Sequence, residues 1–303
     1  MRIGLGAPVA GAWATAANLT GFGGQAERLG YDSLWTLQRL LVPDSRTMEP
    51  VYQSVLDPLV ALSYVAAATS SVRLSIAVVN LPFVTPLYLA KQVATLDVIS
   101  GGRVDLGLGI GWLPEEFTAS GAITARRGAR TEEYLTVLRA LWSGHNDDFH
   151  GEFYEIPAGR QAPSPVQRPG PPILLGGMSA PAMDRAARIA DGWVTSSRAD
   201  LRQMQAAAAI IQDKAAAAGR GPLRIVCRGV VRAGEPVLSP ETGERLLLSG
   251  SYEQIRADTA WLGTRGVTEL FYDLNWDPEI GAPDADPKAA TERAAEIIEA
   301  LVP

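Results

Sequence analysis

The chain is poor in the residues on which several chemistries depend. Cysteine occurs once, at Cys227, which excludes an internal disulfide framework and fits a reducing compartment. Histidine occurs twice, at His145 and His150, and no Cys, His, Asp or Glu cluster has metal-ligand spacing, so no metal site is expected. Lysine stands only at Lys91, Lys214 and Lys288, so arginine supplies most of the 27 basic residues. These are outnumbered by 33 acidic ones, and the net charge of -6 argues against a nucleic-acid or anionic-membrane surface. No uninterrupted apolar run reaches transmembrane length. The stretch up to Leu19 superficially resembles a signal peptide, but only Arg2 precedes it and Gly4, Gly6, Pro8 and Gly11 interrupt it. Arg2–Gly6 reads better as a buried strand, and a cytoplasmic protein is expected. There is no Gly-x-Ser-x-Gly elbow and no Walker loop.

What is present is an alternation of strand and helix signals over 303 residues, 47% of them hydrophobic. Strands are expected at 2–6, 33–36, 73–79, 103–109, 173–175, 193–196, 223–231 and 267–272. They are short apolar runs without alternation, as parallel strands covered on both faces should be. Helices are expected at 19–29, 57–69, from 86, 130–142, 181–190, 200–218, 252–262 and 287–301. Asp57-Pro58 opens one of them with the favoured cap and first-turn residues. Residues 147–156 break the alternation as a β-hairpin, and a proline-rich connector, 157–172, follows. Eight βα units in a chain of this length predict a (β/α)8 TIM barrel. The expected organisation is one domain over 1–303, with the insertion at about 145–172 after the fourth βα unit. A doubly wound dinucleotide fold is the rival. Against it, Gly107-Leu-Gly-Ile-Gly-Trp112 has Trp where the fingerprint needs its third glycine. The one flexible segment expected is 281–287.

A barrel places its chemistry at the C-terminal ends of the strands. Those ends carry Gln38 and Arg39 after the second strand, Asn80 after the third, and Gly109, Gly111, Trp112, Glu115 and Glu116 after the fourth. Glycines there let a flat ligand approach the backbone. Glu115 and Glu116 could serve as acid and base, although adjacent carboxylates at a helix start also suit the helix dipole. After the fifth strand, Gly176-Gly177-Met178-Ser179 precedes a helix, a pattern that suits a phosphate and equally a plain helix start. Arg39 could hold an anionic group. Both histidines fall in or beside the hairpin and read as solvent-side residues.

Several blocks together resemble the bacterial luciferase-like flavin and deazaflavin oxidoreductases over nearly the whole chain. They include Gly30-Tyr-Asp-Ser-Leu-Trp35, Asp57-Pro58, Gln92-Val-Ala-Thr-Leu-Asp97, Ser100-Gly-Gly-Arg103 through Gly111-Trp112, Glu116-Phe117, Pro165-Val-Gln167, Gly176-Gly177 and Asp191-Gly192-Trp193. The resemblance implies a TIM barrel with the ring laid across the strand ends, propped by a non-proline cis peptide at Ala77-Val78 beside Asn80. It implies a ring site shaped by Gln38, Gly109 and Gly111 and a cofactor phosphate at Gly176, Gly177, Met178 and Ser179. Relatives often carry an acidic residue and a histidine where this chain has Gln38 and Arg39. An arginine stays protonated and cannot take a proton from an alcohol. The residues offered for catalysis are therefore Arg39, Trp112 and Glu116, in reduction of an activated C=C, C=O or C=N bond. The implied cofactor is the deazaflavin coenzyme F420, with FMN and a two-component monooxygenase as the alternative. A barrel that binds a flavin without catalysis is a third reading. Expected partners are a small organic substrate, a separate reductase that supplies reduced cofactor, and a second copy in a homodimer.

Overall fold

The computed structural model describes residues 1–303. Eight parallel strands close into a barrel in chain order: β1 (Arg2–Gly6), β2 (Ser33–Thr36), β3 (Arg73–Asn80), β4 (Val104–Gly109), β5 (Ile173–Gly176), β6 (Gly192–Val194), β7 (Arg224–Val230) and β8 (Glu269–Asp273). The last strand pairs with the first in the register Arg2 to Glu269 and Leu5 to Tyr272, which leaves no free edge. Each strand feeds an outer helix: α1 (Ala16–Leu29), α2 (Pro58–Ala66), α3 (Pro86–Ile99), α4 (Arg127–Trp142), α5 (Ala180–Ile189), α6 (Met204–Ala217), α7 (Tyr252–Gly263) and α8 (Pro287–Ala300). Local sequence sets many of the starts. Asp57 accepts from the N–H groups of Leu59 and Val60 ahead of Pro58, and Ser251 with Gln254 forms a capping box. The (β/α)8 barrel is thus the observed fold, and no helix is long and apolar enough to cross a membrane.

The hairpin lies where it was expected, with Phe149–His150 antiparallel to Glu155–Ile156 between α4 and β5. His150 is exposed on it beside Glu155. Element ends differ by a few residues: α4 begins three residues early, α2 stops at Ala66, and β6 ends at Val194 because its pairing with β5 ends at Gly176. A short helix, Pro114–Ala119, follows β4. Residues 232–250 carry a two-stranded parallel ribbon, Arg232–Ala233 with Ser249–Gly250, that no sequence signal announced. The segment expected to be flexible is anchored at its start. Gly281 and Ala282 are buried, Ala282 O accepts from Ala12 N, and a Cβ on Gly281 would lie 1.9 Å from Asn275 O.

Inward-facing residues fill the barrel in layers. At the floor, the fully buried Asp105 accepts from Arg73 (Nε and Nη2, both 2.7 Å) and from Arg224 (2.8 and 3.1 Å). Arg224 also donates to Glu269 at 2.9 Å, and Glu269 accepts from Ser33 and from the Trp35 indole. Above the floor, Trp35, Ala77, Leu174, Val194, Val226 and Phe271 form an apolar plug, with the Trp35 and Phe271 rings stacked at 4.7 Å. Gly107 is required by the wall itself, since a Cβ there would meet Ile76 O at 2.0 Å. Burial alone would raise the Asp105 carboxyl, but the hydrogen bonds and charges of Arg73 and Arg224 outweigh it and hold the group below its ordinary range.

Asp105→Asn should therefore destabilise the fold at pH 7 by about 3–5 kcal/mol in urea unfolding, because two guanidinium groups lose their buried counter-charge. A depressed carboxyl stabilises above its unfolded pKa, so the gap between wild type and variant should narrow as pH falls below 3.8. A gap independent of pH would place the effect in packing rather than charge.

Candidate active site

The rim at the C-terminal strand ends is shaped first by a bulge. The pairing of β3 with β4 runs from Ile76–Leu106 to Val79–Leu108, so Ala77 and Val78 face a single residue, Gly107. The Ala77-Val78 peptide is cis, as the resemblance implied. Val78 is pushed toward the mouth, and a Cβ on Gly109 would come within 2.6 Å of it.

Gln38, Asn80 and Gly111 form one chain of hydrogen bonds. Gln38 Oε1 accepts from Asn80 N at 2.8 Å and from Asn80 Nδ2 at 3.2 Å, while Asn80 Oδ1 accepts from Gly111 N at 3.1 Å. These bonds lock the exits of β2, β3 and β4 together, and Arg127 fixes Gly111 from the other side through its carbonyl.

Arg39 and Glu116 are brought together, and neither is left free. Arg39 Nη1 lies 2.8 Å from Glu116 Oε2 with both side chains nearly buried. The contact lies off a hydrogen-bond direction, so charge holds it. The guanidinium lies against two neighbouring rings, Tyr52 at 4.5 Å and Trp112 at 4.9 Å, whose centroids are 6.4 Å apart. Glu116 Oε1 accepts from Leu40 N and Leu41 N, and Glu115 accepts from Ser45 and Arg46. The two adjacent carboxylates therefore latch the loop after β2 onto the exit of β4. Trp112 remains half exposed at the mouth.

The exit of β5 is open. The N–H groups of Gly177, Met178 and Ser179 have no protein partner, and the Ser179 side chain makes no cap bond to α5. A Cβ on Gly176 would meet nothing closer than 3.5 Å, so packing does not require glycine there and its backbone is left accessible. Trp193 Nε1 donates to Gly177 O at 2.8 Å and steadies the loop. Free N–H groups at a helix N-terminus suit an anionic group such as a cofactor phosphate. The donor set fits the phosphate of a flavin or deazaflavin. Gly109 and Gly111, expected to make room for a ring, are instead required by packing, since a Cβ would meet Val78 at 2.6 Å at the first and Phe117 at 2.9 Å at the second.

Several rim residues escaped sequence reasoning. Arg228 lies inside β7 with its Nε and Nη2 on Asp273 Oδ2, both at 2.7 Å, and Asn275 binds the other Asp273 oxygen. A charged residue within the apolar run Ile225–Val231 was the signal available. Arg228 also lines a cavity of about 520 Å³ with Ser197, Arg198, Arg232, Ser249 and Trp276. Cys227, on the other face of β7, is fully buried, and burial pushes its thiol up to about 12.

Residues 3–237 match the luciferase-like monooxygenase family. The chain belongs to that family. It is 39% identical to an uncharacterised protein of Mycobacterium tuberculosis over 183 residues, 60% of this chain and 62% of the relative. It is 36% identical over 156 residues to an FMNH2-dependent dimethylsulfone monooxygenase of Pseudomonas putida, covering 50% of this chain and 42% of that enzyme. The match thus spans less than two thirds of the length of these curated relatives. Among solved structures, an F420-dependent secondary alcohol dehydrogenase superposes with a TM-score of 0.78 at 16% identity, over 99% of this chain and 98% of that one. At that identity the likeness concerns the fold. The family is thus one of oxidoreductases; the relative from Pseudomonas putida is FMNH2-dependent, and the superposed dehydrogenase is F420-dependent.

If Arg39 serves to latch rather than to bind ligand, Arg39→Met should cost about 3–5 kcal/mol by stranding the buried Glu116 carboxylate. The double variant Arg39→Met/Glu116→Gln should recover much of that loss, a positive coupling read by a double-mutant cycle in urea unfolding. Additive losses would show that the two charges do not depend on each other.

Proposed function

We propose that the protein takes a reduced flavin-type ring at the strand ends and uses it on a small organic substrate. The observation that carries this reading is the rim itself. The Ala77-Val78 bulge offers a platform, and the open N–H groups of Gly177 to Ser179 offer a phosphate seat on the same end of the barrel. Arg39 and Glu116 are committed to each other, so neither is free to take a proton from an alcohol. That favours delivery of electrons from a reduced ring over alcohol dehydrogenation. When bound, the ring supplies the reactivity, and this chain orients it and keeps the rim ordered.

Reduced FMN is the first cofactor to test, because the relative at 36% identity is named for FMNH2. Coenzyme F420 is the second, favoured by the superposition of an F420-dependent enzyme over almost the full length of both chains. With FMN the reading is a monooxygenase fed by a separate reductase; with F420 it is a reductase of an activated double bond. Exposed Val60 and Tyr64 on α2 and Leu87 and Tyr88 on α3 support pairing with a second copy. No residue from Pro58 to Ala66 is charged, and such a helix is expected to be covered on both faces.

Anaerobic titration with oxidised and reduced FMN and F420, followed by quenching of tryptophan fluorescence, tests the cofactor reading. Reduced FMN should bind in the micromolar range or tighter, and Gly176→Val should weaken it about tenfold or more by filling the open backbone. Binding of neither cofactor would sink the proposal. For the assembly, sedimentation should show a dimer that Val60→Glu/Leu87→Glu converts to monomer; an unchanged mass would move the interface elsewhere.

A further inference from the structure

The top of the barrel interior holds one cation built into a strand. Arg228 is 9% exposed in its side chain, and its backbone N–H donates to Thr195 Oγ1 at 2.8 Å. Asp273 binds the guanidinium from one side only, through Oδ2 to Nε and Nη2. The remaining nitrogen, Nη1, points the other way across the barrel and lies 3.4 Å from the carbonyl of Ala77, the first residue of the cis bond. Phe271 and Trp276 flank the group at 5.7 and 5.8 Å, so its orientation is fixed by packing as well as by charge. Asp273 cannot turn to follow, because its other oxygen accepts from Asn275 N and Nδ2.

We infer that Arg228 selects the reduced, anionic form of the ring cofactor. The inference rests on the proposed function and adds a redox preference to it. A flavin ring, neutral when oxidised, gains negative charge when two electrons and one proton are added to it. A ring held against Ala77 and Val78 would face the positive end of the Arg228–Asp273 pair, with the carboxylate on the far side. The pair is neutral overall, so its effect is that of an oriented dipole at short range in a poorly solvated place. That favours the anion over the neutral oxidised ring, the state in which a cofactor delivered by another enzyme must be captured. The long Nη1 contact to Ala77 O leaves that nitrogen with donor capacity for the ligand.

The test measures the ratio of dissociation constants for oxidised and reduced FMN, anaerobically, in wild type and three variants. Wild type should bind the reduced form at least about tenfold more tightly, and Arg228→Gln should remove most of that ratio while changing oxidised affinity little. A tenfold loss in the ratio corresponds to a midpoint potential lower by about 30 mV for the bound two-electron couple. Arg228→Lys should keep part of the preference. Arg228→Gln/Asp273→Asn removes both charges and avoids a stranded carboxylate, so it reads the same loss if the single variant folds poorly. An unchanged ratio in the double variant would overturn the inference, as would equal weakening of both redox forms. In either case tight binding of reduced FMN by the wild type would leave the proposed function standing, whereas failure of the wild type to bind either cofactor would remove both.

Discussion

The Asp105 carboxylate is the contact on which the barrel depends. It stands on β4 with no exposure to solvent and is shared by Arg73 of β3 and Arg224 of β7, which lie on different sides of the interior. Arg224 passes the linkage to Glu269 on β8, and Glu269 gathers Arg2 of β1 and the Ser33 hydroxyl of β2. One chain of charged hydrogen bonds therefore ties six of the eight strands at their N-terminal ends. Isolated charges could not be placed there, since desolvation would neutralise or expel them. The network is stable only as a whole, and breaking one member strands the others. It also fixes strand stagger, because each side chain must arrive at the same height.

The layers above follow from that floor. Trp35 and Phe271 stack directly over it, and the Trp35 indole donates down to Ser33 and Glu269. The plug they form, which includes Ala77, separates the floor network from the rim. At the next level the inward positions hold either glycine, as at Gly6, Gly109 and Gly176, or a charged residue, as at Arg228 and Asp273. Gly6 makes room for Asp273 and Gly109 for Val78, while a Cβ on Gly176 would meet nothing closer than 3.5 Å. The same alternation that fills the core thus ends in a layer of glycines and charges at the strand ends, where the proposed site lies.

The fold was legible because parallel strands buried on both faces write themselves as unbroken apolar runs, and because a cap such as Asp57-Pro58 marks a helix start. Gly109, Gly111 and Gly176 were legible by position at strand ends. The partners of Arg39 were not. Glu116 lies 77 residues away in sequence, and nothing local says that the two charges meet beside the rings of Tyr52 and Trp112. Arg228 is hidden for a different reason: it lies within an apolar strand run, and a charge in such a run demands a buried partner that only closure of β7 on β8 supplies. The ribbon at 232–250 has two-residue strands, too short for any periodicity to register.

Arg39 at the exit of β2 bears on chemistry through what it cannot do. A histidine there could exchange a proton with a substrate, whereas a guanidinium held by Glu116 exchanges none and instead fastens two loops. The latch is built from both ends: Glu116 holds Arg39 and the N–H groups of Leu40 and Leu41, and Glu115 holds Ser45 and Arg46. A rim fastened in this way gives up acid–base function for order in the loop that flanks the ring platform. Chemistry that needs only a well-placed reduced ring loses nothing by that exchange, while oxidation of an alcohol loses its base. The ion pair that shapes the loop thus also underlies the proposed direction of electron flow.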